Sequence, residues 1–233
     1  MKNILHRIIT GLSHCGLNKP AIITSNNGLI FKYIVKYSGD VRPSDPLPML
    51  IALHGDGDTA NNFFETALNH FNTPARIILF EGPISHEMGQ VWPYSAKQFA
   101  DYGKAFSEVV DQLAIKFPTV NKPVLLGFSG GGTMAYYQAV KHGDCYTYIF
   151  PVSGLLLDDQ LNGKPSRPGA IVYAYHGKTD NVVPFSAGKK AIKLLKKNRV
   201  NVTFTEFESG HHGLFNDMKS QITLAIEEKL MNL

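Results

Sequence analysis

Cysteine is scarce. The chain has two in 233 residues, Cys15 and Cys145, and neither sits in a Cys-x-x-Cys pair. That excludes a disulfide scaffold and a paired-thiol redox motif. Cys145 lies beside apolar strand residues, as buried thiols do. Long apolar runs are also lacking, and none approaches the ~18 residues of a membrane span. The first ten residues mix Lys2, His6 and Arg7 among apolar positions and are too short and interrupted for a signal peptide. A cytoplasmic location is therefore expected. Basic residues are not interleaved with aromatics as on a nucleic-acid surface, so no nucleic-acid partner is expected. Charge is sparse, 18% of residues with a net +4, and much of the excess lies within residues 189–199. No repeat, low-complexity tract or linker interrupts the chain. One domain over residues 1–233 is expected, with residues 1–28 as an extension whose structure the sequence does not specify.

What the chain does contain is alternation of strands and helices. Near its start come a short helical pattern, Pro20 and the turn-like Ser25-Asn26-Asn27-Gly28. Residues 29–37 are aromatic and β-branched, which predicts a strand. Residues 48–53 and 76–80 are short continuous apolar runs, the mark of strands buried on both faces. Further strands are expected at 124–126, 146–152, 170–176 and 202–207. Helices are expected at 60–69, at 105–117, from about 133, at 186–198 and at 215–233. Residues 84–103 read as irregular. This order predicts an α/β fold: a mostly parallel central sheet with helices on both faces. Working residues in such sheets sit at the carboxyl ends of strands. Here those ends are His54-Gly55-Asp56, Ser129, Asp180 and His211.

The organising stretch is residues 124–137, VLLGFSGGGTMAYY. It runs strand, Gly127-Phe128-Ser129-Gly130-Gly131, helix, the layout of a nucleophile elbow. A sharp strand-to-helix turn strains the serine backbone, and side chains on its flanks would collide with it. A serine hydroxyl needs a base at neutral pH. Histidine suits that role, and a carboxylate fixes its tautomer and stabilises the imidazolium. Ser129, Asp180 and His211 follow in the chain order expected of this arrangement. His212 is the alternative base; Gly210 gives the loop freedom to bring the next residue inward, which favours His211. Two backbone N–H groups should meet the oxyanion of acyl transfer, and the candidates are those of Gly130 and Asp56. The Asp56 side chain need not take part, and a tight turn with a helix cap is a compatible reading of Asp56-Gly57-Asp58. Trp92, in Trp92-Pro93-Tyr94, is expected at the substrate pocket, packed on an acyl chain; a core anchor is the competing reading. Adjacent loop histidines without a spaced third ligand do not read as a metal site, so no metal and no cofactor are expected. The lysine-rich helix (Lys189, Lys190, Lys193, Lys196, Lys197) reads as a solvated face. Weak contact with an anionic membrane surface is the minority reading.

Three segments carry a family resemblance: Leu53-His54-Gly55-Asp56-Gly57-Asp58-Thr59, Gly127-Phe128-Ser129-Gly130-Gly131, and His176-Gly177-x-x-Asp180-x-x-Val183-Pro184. With these the chain resembles the phospholipase/carboxylesterase family of α/β-hydrolases, which includes acyl-protein thioesterases, from about Pro48 onward. The resemblance implies an α/β-hydrolase fold and a Ser-Asp-His triad without cofactor. It also implies small-molecule or lipid-like ester and thioester substrates, and a monomer or homodimer. The family usually carries Gln after the nucleophile, where this chain has Gly130. The strand before the His-Gly loop is also similar to those of polyhydroxybutyrate depolymerases and feruloyl esterases. A non-catalytic binding protein on the same fold is the contrasting possibility.

The sequence predicts that kcat/KM rises with pH through the ordinary histidine range, ~6 to 7, as an imidazole base loses its proton. A pH–rate profile that is flat from about 5 to 8 contradicts histidine as base.

Overall fold

The computed structural model describes residues 20–87, 89–161 and 166–233. The early helical pattern and Cys15 lie outside these residues. The strands are β1 (Ala21–Thr24), β2 (Ile30–Ser38), β3 (Met49–Leu53), β4 (Ala75–Phe80), β5 (Ile84–His86), β6 (Gly89–Val91), β7 (Val124–Phe128), β8 (Tyr148–Val152), β9 (Ile171–Gly177) and β10 (Asn201–Phe207). The α-helices are α1 (Ala60–Phe63), α2 (Ala96–Lys116), α3 (Gly130–Lys141), α4 (Phe185–Lys197) and α5 (Lys219–Met231). Eight strands form one sheet in the order β1-β2-β4-β3-β7-β8-β9-β10, with β5 and β6 as a separate hairpin. From β4 to β10 every pairing is parallel, and β2 joins antiparallel to both β1 and β4. This is the mostly parallel sheet of an α/β-hydrolase.

The continuous apolar runs occupy the middle of the sheet because both its faces are covered. Every residue of β3, β4 and β7 is buried. Side chains alternate between two cores. Ile51, Leu53 and Leu125 meet α2, α3 and α4 through Phe106, Val109, Met134, Ala191 and Leu195. Leu50, Ala52 and Leu126 face the opposite layer, with Phe63 of α1 and Ile222, Ile226 and Leu230 of α5. The five lysines of α4 are all exposed while Ala191, Ile192, Leu194 and Leu195 are buried. That is the solvated face expected of them.

Several local expectations need correction. Residues 21–24 are a strand, because they pair along β2; four residues are too few to show a period. Residues 84–103 are not all irregular. They hold the hairpin and the first turns of α2, which begins at Ala96 behind a capping box: Ser95 accepts from Gln98 N while the Gln98 side chain reaches back. The helix expected at 60–69 is one α-turn followed by a π-helical turn, Phe64–Leu68. The final helix starts at Lys219, because residues 211–215 form a separate short 3₁₀ turn. Cys145 is half-buried, and its surroundings push the thiol up to about 11. Among the described residues no helix is long and apolar enough to cross a membrane.

Candidate active site

The carboxyl ends of β3, β7, β9 and β10 open on one cavity of about 800 Å³. Ser129 sits where β7 becomes α3, with φ 52° and ψ −115°. A positive φ is unusual for a residue with a side chain, and neighbours on both sides hold it. Ser129 N donates to Val152 O of β8 at 2.9 Å, and Gly131 N donates to His54 O at the end of β3 at 3.2 Å. A Cβ on Gly131 would fall 2.5 Å from Leu53 O, and one on Gly127 would collide with the backbone of Gly131. Those two glycines let the elbow close between its neighbouring strands.

Ser129, His211 and Asp180 form a hydrogen-bonded row. His211 Nε2 lies 3.0 Å from Ser129 Oγ, and His211 Nδ1 lies 2.8 Å from Asp180 Oδ2. A carboxylate accepts only, so Nδ1 carries the hydrogen and Nε2 is free to accept from the serine. Two loops bring the partners together. Lys178 N donates to Phe207 O at 2.9 Å and Thr179 N to Ser209 O at 3.2 Å, tying the loop after β9 to the loop after β10. Asp180 Oδ1 accepts from Val182 N at 2.9 Å and Val183 N at 2.8 Å. His212 is exposed and lies against the His211 ring, on the cavity wall and outside the row. Of the two candidates, His211 is the one placed at the serine.

Beneath Asp180 lies a second imidazole. His176 is fully buried. Its Nε2 donates to Val183 O at 2.9 Å and stands 3.4 Å from Asp180 Oδ2. Its Nδ1 has no partner among the described residues, and Gly188 packs against that edge of the ring. Burial lowers its pKa, so the ring is neutral and the short approach to Asp180 is a weak N–H contact rather than an ion pair. The sequence offered His176 only as the first letter of a motif.

The loop after β3 is braced by His54, also fully buried. Its Nδ1 donates to Gly55 O at 2.6 Å, which leaves Nε2 to accept from Gly82 N at 2.9 Å. With both nitrogens used in this way the ring is neutral, so its 3.4 Å approach to Glu81 is not an ion pair. Asp56 and Gly130 follow the same ends of the adjacent parallel strands β3 and β7, and neither amide donates a hydrogen bond among the described residues.

One expectation fails here. Trp92 does not line the cavity. It is 1% exposed, and its Nε1 donates to His54 O at 2.8 Å, so it anchors the loop in the core. The wall position falls to its neighbours Pro93 and Tyr94. The Asp56 side chain, which the sequence leaves open, has a structural part. Its Oδ1 accepts from Trp92 N at 2.8 Å, and its carboxylate fills the space where a Cβ on residue 130 would stand. Glycine at 130, the departure from the family's usual Gln, is thus the complement of aspartate at 56. Burial raises the Asp56 pKa, against the opposing effect of the Trp92 hydrogen bond.

The sequence profile of the phospholipase/carboxylesterase family matches residues 41–228. The chain belongs to that family. Similar solved structures show the fold. The carboxylesterase of Bacillus cereus superposes with a TM-score of 0.66 at 17% identity, covering 84% of this chain and 94% of that one. Est1E from Butyrivibrio proteoclasticus gives 0.63 at 15% identity, covering 92% and 98%. Dipeptidyl peptidase 4 of Porphyromonas gingivalis gives 0.68 at 11% identity, covering 92% of this chain and 35% of that one. No curated protein sequence matches the chain.

Two outcomes follow from this geometry. Gly130→Ala drives a methyl into the Asp56 carboxylate and should lower esterase kcat/KM about tenfold or more. Adding Asp56→Ala, which removes the obstructing atoms, should recover part of that loss. No recovery in the double-mutant cycle contradicts the steric pairing. For His176, the folded protein holds the ring neutral while the unfolded chain binds a proton below about 6.5, so stability falls as pH drops through that value. His176→Gln should flatten part of the fall in Tm between about pH 7 and 5. An unchanged slope contradicts the assignment.

Proposed function

We propose that the protein is a serine esterase that cleaves carboxylic esters or thioesters through an acyl-enzyme formed on Ser129. The observation that carries this reading is the row from Ser129 Oγ through His211 to Asp180, set at the mouth of a cavity with apolar walls. Asp180 holds the His211 ring with Nε2 toward the serine. His211 Nε2 takes the Ser129 proton as Oγ attacks the acyl carbon. The carbonyl oxygen becomes an oxyanion facing the amides of Asp56 and Gly130, the second at the first turn of α3. As the carbon–oxygen or carbon–sulfur bond breaks, His211 returns the proton to the departing alcohol or thiol. Water then attacks the acyl-enzyme, gives a proton to His211, and releases the acid as Ser129 regains its hydrogen.

Leu155, Leu157, Val183 and Phe215 supply apolar cavity walls, and Tyr94 and Val182 at the cavity are more than half exposed. A cavity of about 800 Å³ falls in the range that holds drug-sized molecules. Small to medium acyl groups are the substrates it suits. Family membership supports ester hydrolysis.

Purified protein should release p-nitrophenol from p-nitrophenyl butyrate and be labelled by a fluorophosphonate at Ser129. Ser129→Ala should abolish labelling and lower kcat by about a thousandfold or more. No hydrolysis together with no label at Ser129 sinks the proposal.

A further inference from the structure

The proposed mechanism uses only the backbone of Asp56, which leaves its carboxylate without a role in the chemistry. Asp56 lines the same cavity as Ser129. Its carboxylate packs on Gly130, whose amide is one of the two proposed oxyanion donors. Trp92 N donates to it at 2.8 Å, and the Tyr94 hydroxyl is near enough to act on its charge. His54 and His86 are the imidazoles close enough to act on its charge, and His54 is neutral in its hydrogen bonding. Asp58 also lines the cavity, while among the described residues no lysine or arginine does. A chain of net charge +4 therefore carries an anionic cavity.

For a neutral ester this placement is unfavourable. A fixed negative charge beside the forming oxyanion repels it, and the repulsion is strong where water is partly excluded. A cation on the substrate reverses the sign of the effect. It is attracted to the carboxylate in the ground state, and more strongly once the neighbouring carbonyl becomes an anion. Tyr94, 56% exposed and beside the carboxylate, offers the aromatic face that quaternary ammonium groups favour.

We propose that Asp56 is a specificity-determining residue that selects esters bearing an alkylammonium group a few bonds from the scissile carbonyl, with Tyr94 as its aromatic neighbour. This inference rests on the serine-esterase reading above.

The test uses two matched pairs of esters. One is butyrylcholine with its tert-butyl isostere, in which carbon replaces the quaternary nitrogen of the alcohol. The other is the ethyl ester of γ-trimethylammoniobutyrate with its own tert-butyl isostere, which moves the charge to the acyl side. In at least one pair the wild type should favour the charged ester by about tenfold or more in kcat/KM. Asp56→Asn keeps the backbone amide and an acceptor for Trp92 N, and should bring that ratio within about twofold of one. Because both esters meet the same enzyme, a general loss of activity in the variant cancels from the ratio. If Asp56→Asn does not fold, the wild-type ratio is followed toward acid pH, where it should fall as the carboxylate takes a proton. Equal rates in both pairs, or a preference that survives Asp56→Asn or acid pH, overturn the inference and leave the esterase reading standing. No hydrolysis of any of the four esters, with Ser129 unlabelled by fluorophosphonate, overturns the esterase reading and this inference with it.

Discussion

Ser129 is held with φ 52° and ψ −115°, a backbone state that costs a residue with a side chain about 1–3 kcal/mol. The fold meets that cost with a clamp. Val152 O on one side and His54 O on the other accept from Ser129 N and Gly131 N, so the elbow is hydrogen-bonded to the strands flanking β7. The same clamp sets three things at once. It sets Ser129 at the cavity, places Gly130 beside it, and brings the loop after β3 alongside. Loosening any of these contacts would release the serine to a relaxed conformation and pull the other two out of place.

The remaining residues of the site are arranged around that fixed point. The loops after β9 and β10 are tied by backbone hydrogen bonds, which lets Asp180 and His211, 31 positions apart, act as one unit. His176 closes the far side of that unit, a neutral ring under a buried carboxylate. On the near side, Asp56 and Gly130 share one volume: the aspartate occupies what a larger residue at 130 would need. Its carboxylate also braces Trp92 N, so the floor of the cavity, its charge and the position of Tyr94 are coupled through a single side chain.

The layout could be read from the sequence wherever one physical signal dominated. Both-face burial made β3, β4 and β7 legible as apolar runs. Crowding made the Gly-x-Ser-x-Gly turn legible, and strand ends placed Ser129, Asp180 and His211 on one side of the sheet. Signals that depend on partners were not legible. β1 is a strand only because β2 runs beside it, and α2 starts early because Ser95 and Gln98 cap each other. The apolar surface of Trp92 suits a pocket as well as a core. Only its hydrogen bond to His54 O and its burial decide between them. At Asp56 the sequence points to the amide, since nothing local reveals that the carboxylate abuts Gly130.

A crystal structure of the fluorophosphonate adduct tests this account most directly. The account predicts phosphorus bonded to Ser129 Oγ, with the phosphoryl oxygen about 2.7–3.1 Å from both the Asp56 and Gly130 amides and His211 still bridging to Asp180. Phosphorus on another residue, or a phosphoryl oxygen turned away from both amides, would contradict it.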